Sequence, residues 1–447
     1  MYTSRLAVIG LYFLLLPGSH STGRQANPST PALKAFIGAR IIDGTGRAPI
    51  ENGVVVVRNG RIEAVGASGQ VKVPAGAERI DVSGKTIIPG IINTHGHVGA
   101  TRGLLSKPEY YTRENILDHL RLYARYGVTT VISLGGDQRE AIAIRDTQET
   151  PLLNHARLYV SGPVLSPATP EEARRMVDEL VQMKVDIAKI RVDDNLGTIQ
   201  KMPASAYQAV IKQAHAKNLR VAAHMYYHDD AKSLLRSGVD FLAHSVRDRE
   251  IDSELITLLK NRNVCVCPTL TREVSTFVYE QTPEFFRDPF FLREADESVI
   301  KQLNDPKRQQ EMSSSRSAQS YKRALEVASK NLKALTEAGV TIAFGTDSGP
   351  PARFQGYFEH MEMELMAKAG LTPMQTLLSA TRDAARCMGL AESLGTLEPG
   401  KQADLVVLSG NPLTDITKTK TLESVWIAGN RVPPRERAVG SAPVSGK

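Results

Sequence analysis

Two histidines separated by one residue, His95 and His97 in THGHV, close an apolar run at residues 86–98. Three more residues of metal-binding type end other β-rich runs: His224 in VAAHMY, His244 in FLAHSV and Asp347 in FGTDSG. Residues two apart on a strand share a face, so both imidazoles of the pair project together. Imidazoles and a carboxylate are ligands for a first-row divalent metal, with zinc the default choice. Taken alone, the pair has an ordinary reading, one histidine in a core and the other in solvent. A separate question lies in DIAKIRVDD (186–194), where Ile187, Lys189 and Arg191 share a face opposite Ala188, Ile190 and Val192. An ionised lysine is seldom fully buried without a partner. Either that face meets solvent, or Lys189 pairs with Asp193 or Asp194, or something uses the amine.

The elements that position these residues follow from periodicity. Eight β-rich runs, at 86–98, 128–136, 158–165, 185–192, 220–227, 239–246, 264–270 and 340–349, alternate with helical patterns. One helix start is plain in TPEEARRMVDELVQMK, where Thr169 precedes Pro170 and an acidic first turn. Eight strands separated by helices predict an α/β chain with a (β/α)8 TIM-type barrel, in which the carboxyl ends of the strands converge on one mouth. A doubly wound sheet also alternates strands and helices, but polar residues at the strand ends all round the set favour the barrel. Four histidines and an aspartate then meet in one place. Flanking β-rich pieces, AFIGARIIDGTGRAPIENGVVVVRNGRIEAVGA with its Asn59-Gly60 turn and GTLEPGKQADLVVLSGNPL with SVWIAGNRV, each have too few strands to stand alone. They are expected to join as a small β-sandwich domain from 35–90 and 395–437, beside a barrel at 91–394. A Phe-, Tyr-, Arg- and Glu-rich insertion at 271–320 is expected to form a lid or substrate wall.

From IIDGTG through IIPGIINTHGH to GTLEPGKQADLVVLSGNPLTDI the chain resembles the amidohydrolase superfamily. The resemblance implies a two-metal centre: H-x-H on the first strand, a carboxylated lysine on the fourth, histidines on the fifth and sixth, an aspartate on the eighth. Those roles fall on His95 and His97, Lys189, His224, His244 and Asp347. The chain is most similar to the imidazolonepropionase-like and prolidase-type branch, which includes dipeptidases and ochratoxin-cleaving amidases. HMYYHDDAKSLLRSGVDFLAHSV departs from better-known members in wording, not in ligand spacing.

At a barrel mouth, desolvation and nearby cations would depress the pKa of Lys189 and favour the neutral amine. A neutral amine can add CO2 to give a carbamate whose oxygens bridge metals about 3.5–4 Å apart. The expected cofactors are therefore two divalent ions, zinc by default, with a CO2-derived carbamate on Lys189. A metal-bridging hydroxide would attack the substrate carbonyl, and Asp347 would carry the proton to the leaving nitrogen. Tyr226, two residues beyond His224, is a candidate oxyanion donor or a packing tyrosine; prolidase-like relatives carry the same H-x-Y arrangement. Arg191 is a candidate clamp for a substrate carboxylate, with pairing to Asp193 or Asp194 the alternative. His228 is near enough to the fifth strand to line the pocket, while His119, His155, His215 and His360 fall in helices or loops.

The rest of the 447 residues narrows the class. Net charge is +7, without a Lys/Arg block or interleaved aromatics, so no nucleic-acid partner is expected. Residues 1–21, with Arg5, the apolar LAVIGLYFLLL and the exit SHS, have the anatomy of a signal peptide, and no cysteine follows to take a lipid anchor. A secreted or periplasmic protein acting on a small molecule is expected, without a membrane anchor; a homo-oligomer stays open. Cys265, Cys267 and Cys387 make no disulfide framework, and Cys265 and Cys267 read as small hydrophobes of a strand. The expected activity is hydrolysis of an amide or peptide C–N bond in a dipeptide or N-acyl amino acid. Rivals are a one-metal deaminase, an ester, lactone or phosphotriester hydrolase, and a metal-free scaffold.

Overall fold

The computed structural model describes residues 33–435. The expected signal peptide and the tail after 437 lie outside the described residues. Strands β1 (Leu33–Ile41), β2 (Ile50–Arg58), β3 (Arg61–Ala67), β4 (Glu78–Asp81) and β5 (Thr86–Pro89) join three strands from the other end of the chain. These are β16 (Leu405–Leu408), β17 (Leu422–Ile427) and β18 (Asn430–Arg431), in the order β18-β17-β16-β5-β1-β2-β3, with β4 on β1. Phe36, Val55, Ile87, Leu405 and Trp426 are buried in their shared core.

The run 86–98 divides at Gly90. A Cβ there would lie 2.1 Å from Thr129 Oγ1, so only glycine lets β5 end and β6 (Ile91–Gly96) begin against the neighbouring strand. A hairpin, β7 (Thr101–Arg102) and β8 (Leu105–Ser106), follows outside the ring. Then β6 pairs in parallel with β9 (Val128–Ser133), and β9 with β10 (Arg157–Val160). A second parallel series runs β11 (Val164–Leu165), β12 (Ala188–Arg191), β13 (Val221–His224), β14 (Phe241–Leu242) and β15 (Cys265–Val266). β10 and β11 are two halves of one bent third strand: Asp186 N donates to Val160 O at 2.9 Å, while Val164 pairs with Lys189. Residues 342–348 supply the eighth, bridging Val266 through Ile342 and Gly96 through Ser348. The ring is a (β/α)8 barrel.

Helices α1 (Arg113–Arg125), α2 (Arg139–Thr147), α3 (Pro170–Met183), α4 (Ala204–Ala216), α5 (His228–Ser237) and α6 (Ser253–Asn261) return the chain between strands. As the sequence predicts, the Thr169 side chain caps α3 by accepting from Glu172 N, with Pro170 in the first turn. The two faces of β12 enter different cores. Ala188, Ile190 and Val192 pack outward with Val177, Leu180 and Val210 of the helices. Ile187 points into the barrel with Ile92, Ile132, Ala222, Phe241 and Ala343. Each buried aliphatic side chain contributes about 1.5–3 kcal/mol, so reversing this register would be prohibitive. Lys189 and Arg191, on the inner face, therefore climb from the barrel core to its mouth.

After β15 come short helices α7 (Leu270–Val274), α8 (Pro289–Leu292), α9 (Glu297–Leu303) and α10 (Pro306–Ser313), then α11 (Arg316–Glu337). α12 (Tyr357–Lys368), α13 (Pro373–Leu378) and α14 (Ala384–Met388) complete the barrel. Cys265 is not simply a small hydrophobe of its strand. It forms a disulfide with Cys387 of α14, 122 residues away, and ties that helix to the amino end of the barrel. Cys267 is a buried free thiol. Among the described residues no helix is long and apolar enough to cross a membrane.

Candidate metal centre

His95, His97, Lys189, His224 and Asp347 line one cleft of about 530 Å³ at the barrel mouth. His244 lies fully buried behind it, its ring 4.8 Å from that of His95 and 4.2 Å from that of His224. Ligand atoms of His95, His97 and Asp347 lie within 4.8 Å of one another. His97 Nε2 is 2.9 Å and His95 Nε2 3.8 Å from Asp347 Oδ1. Lys189 Nζ is 3.4 Å from His95 Nε2. The structure thus brings together all six residues nominated for the centre.

Hydrogen bonds around the rings show which nitrogens remain for a metal. His97 Nδ1 is 3.0 Å from Gly135 O, an acceptor that occupies this nitrogen, and Nε2, 2.9 Å from Asp347 Oδ1, is the nitrogen that faces the centre. Thr269 donates its hydroxyl to Pro268 O at 2.8 Å and therefore accepts from His244 Nδ1 at 2.6 Å. His244 Nε2 is left buried without a partner. His224 donates from Nε2 to Asp193 Oδ2 at 2.7 Å, which leaves Nδ1 as its ligand nitrogen. Such outer partners fix tautomers for metal ligation, and orphaned buried nitrogens call for a cation. The donor set of nitrogen and carboxylate oxygen fits zinc or a similar divalent ion.

Charge agrees with this geometry. Burial drives His95 and His244 well below the ordinary histidine range and His224 to about 4, so the rings are neutral ligands at pH 7. Burial lowers the Lys189 ammonium to about 7, where much of the amine is free. Asp347 is pushed up by burial, but its surroundings, the Arg353 guanidinium foremost, hold it far below the carboxylate range. Arg353 Nη1 donates to Asp347 Oδ2 at 2.6 Å. Asp347 itself adopts a left-handed φ of 56°, a strained conformation typical of functional sites. Two residues on, Gly349 has φ +111°, and a Cβ there would come 2.3 Å from His97 O.

Other nominated residues fall differently. Lys189 makes no hydrogen bond with Asp193 or Asp194; Asp193 instead takes His224 and, at 3.2 Å, Arg191 Nε. Arg191 still lines the cleft. Tyr226 is outside the cleft lining: its ring packs against Tyr227 and Tyr321 under the Arg247 guanidinium. His228 starts α5 and is buried among Asp229, Arg249 and Asp252, because the chain has turned away from the mouth by that point. Of residues 271–320, Arg272 lines the cleft, whereas Phe285, Phe290 and Phe291 pack with Tyr126 and Tyr357 along α12.

Several supporting residues are visible only in three dimensions. Glu359 and Glu362, fully buried on α12, turn toward the ring. One Glu359 oxygen accepts from Asn93 Nδ2 at 2.6 Å, Thr346 Oγ1 at 2.8 Å and Ser348 Oγ at 2.6 Å, stitching the first strand to the eighth. Glu362 accepts from the backbone of Leu270 and Thr271 beyond the seventh. Their signal in sequence is two glutamates three apart in FEHMEMEL, which alone reads as a solvated helix face.

Comparison with known proteins agrees with this architecture. Residues 86–432 match the amidohydrolase family. The chain is 23% identical over 496 residues to the ochratoxinase of Aspergillus niger, covering 96% of this chain and 94% of that one. It is 22% identical over 386 residues to the imidazolonepropionase of Porphyromonas gingivalis, covering 79% and 82%. The crystal structure of a Xaa-Pro dipeptidase with bound methionine superposes with a TM-score of 0.73 at 21% identity, covering 90% and 99%. The chain belongs to the amidohydrolase family and is a hydrolase acting on C–N bonds.

Proposed function

We propose that this protein is an exported two-metal hydrolase that cleaves an amide or peptide bond in a small substrate, a dipeptide or an N-acyl amino acid. The observation that carries the reading is the convergence of these side chains: ligand atoms of His95, His97 and Asp347 within 4.8 Å of one another, Lys189 Nζ 3.4 Å from His95 Nε2, and a buried, unpartnered His244 Nε2 behind them. Bound divalent ions would polarise the substrate carbonyl and lower the pKa of water. Lys189, as a carbamate, would supply the anionic oxygens between the two ions. Asp347, kept ionised beside Arg353, takes a proton from the attacking water and delivers it to the leaving nitrogen. Arg191 orients the substrate through a carboxylate.

Relatives named ochratoxinase and Xaa-Pro dipeptidase support amide cleavage. A deaminase is disfavoured because no glutamate follows His224 in HMYYHDD and the buried lysine would have no task. The Cys265–Cys387 disulfide suits an oxidising compartment and supports export, with residues 1–21 as the signal. The test is a hydrolysis screen on dipeptides and N-acyl amino acids with added Zn²⁺, Co²⁺ or Mn²⁺, with metal counted per chain. Two equivalents and amide turnover abolished by chelation are expected. One equivalent with ammonia release from an aminated ring, or turnover of esters or phosphotriesters alone, would overturn the proposal.

A further inference from the structure

Three guanidiniums, Arg191, Arg272 and Arg353, line the cleft around Lys189, and among the described lining residues Asp347 is the one carboxylate. Divalent ions would make this surface still more positive, so the site selects for negative charge in whatever it binds. The three guanidiniums are not equally free. Arg272 is committed, with Nη1 on Glu273 at 3.1 Å and Nη2 on the Tyr321 hydroxyl at 3.1 Å. Arg191 uses only Nε, on Asp193, a carboxylate it shares with His224; its terminal nitrogens donate to nothing among the described residues, and its side chain is 34% exposed. Arg353 uses Nη1 on Asp347 and Nε on Ser275 Oγ at 3.1 Å, and its Nη2 donates to nothing among the described residues.

Their placement separates them. Arg191 ends the fourth strand, and Arg353 follows the eighth, which lies opposite the fourth in a ring of eight. Each also borders a second space. Arg191 and Ser166 line a side pocket of about 130 Å³ with Gln200 and Lys201. Arg353 borders another of about 310 Å³ with Arg102 and Gln355, where Glu294 is already paired with Arg125 at 2.9 Å and Asp296 caps α9. The cleft therefore opens at both ends past a guanidinium with donors to spare, and the metal ligands lie between.

We propose that the substrate carries a carboxylate on each side of the scissile amide, one received by Arg191 and the other by Arg353. An N-carboxyacyl amino acid or an acidic dipeptide laid across the mouth has this chemistry. This rests on the amide-hydrolase reading. A planar guanidinium matches a carboxylate with two parallel hydrogen bonds, and one placed at each end fixes the orientation of the bond between them.

The test uses the full chain loaded with Zn²⁺ and titration calorimetry with glutarate, adipate and their monomethyl esters. The dicarboxylates should bind at least about tenfold more tightly than the half-esters. Arg191→Gln and Arg353→Gln should each erase that preference, and Arg191→Lys should restore part of it, since charge returns without the fork. In turnover, kcat/KM for N-succinyl-leucine is compared with N-succinyl-leucinamide and N-acetyl-leucine. The two glutamine variants should remove the benefit of different carboxylates. Equal binding of acid and half-ester, or a preference unchanged in both variants, would overturn the proposal. Arginine-dependent dicarboxylate binding without hydrolysis of any amide would support the clamp and refute the amide reading. Amide turnover indifferent to carboxylates would do the reverse.

Discussion

His244 Nδ1 donates to Thr269 Oγ1 at 2.6 Å, and this contact decides what the other ring nitrogen can do. With the proton held on Nδ1, Nε2 presents a lone pair toward His95 and His224 in a space sealed from water. Thr269 holds its position in a left-handed conformation, φ 50°, beyond the seventh strand. Thr269→Val keeps the shape and removes the acceptor. Metal affinity, measured by competition with a chelator, should fall about 10–100-fold. Unchanged affinity would show that His244 needs no orienting partner.

A second prediction concerns the junction of barrel and sheet. Arg157 of β10 is 1% exposed and forms an ion pair with the buried Asp404, which also accepts from Ala428 N at 2.8 Å. Asp404→Ala would leave the buried guanidinium with only the exposed Glu149, 3.1 Å from Nε, as a carboxylate partner, at a cost of up to about 3–5 kcal/mol. Denaturant unfolding should report that loss, with the catalytic constants of the surviving folded protein near normal. A loss under 1 kcal/mol would contradict it.

The candidate ligand residues were legible because each is polar at the end of an apolar β-rich run, a position with a meaning in a barrel. His95, His224, His244 and Asp347 needed no long-range information beyond the count of strands. Lys189 needed the alternation of AKIR and the family resemblance. What supports them was not legible. Glu359 and Glu362 sit on a helix whose pattern cannot tell an inward acid from a solvated one, and Arg353 follows Asp347 in a loop without periodicity. Tyr226 falls outside the cleft lining, since β13 ends at His224 and alternation no longer governs it. The Cys265–Cys387 pairing depends on α14 folding under the barrel, which no local pattern announces.

Removing that disulfide gives a third prediction. It closes a loop across 122 residues, for which loop-closure entropy assigns about 4–5 kcal/mol. Cys265→Ser, or reduction by dithiothreitol, should lower Tm clearly, and the untreated denatured chain should show one titratable thiol, Cys267. Three thiols in protein from an oxidising compartment would contradict the pairing.

Acid stability of the metal-free chain tests the neutral rings. His224 is held at about 4 by burial, below its ordinary 6.5, so the unfolded state binds more protons between these values. Its contribution is complete above about pH 6.5 and lost as pH falls toward 4, at up to about 1.4 kcal/mol per pH unit. Asp137 and Glu362, raised by burial to about 6 and about 7, act in the opposite sense. The comparison is therefore between the native chain and His224→Asn. The stability difference should shift against the native chain as pH falls from 6.5 to 4. A difference constant with pH would mean that His224 has the same proton affinity in the folded and the unfolded chain.

The central claim is that Lys189 holds two metals together, and metal content with acid-rescued turnover of Lys189→Ala tests it most directly. Lys189 is 3% exposed, beside His95 and among the other nominated ligands. The alanine variant should lose most activity and much of its second metal. Acetate or propionate should partly restore turnover by occupying the space and bridging the pair. Lys189→Arg should not be rescued, because a guanidinium keeps its charge and forms no carbamate. An alanine variant that retained two metals and near-normal turnover, with no response to acetate, would contradict the account.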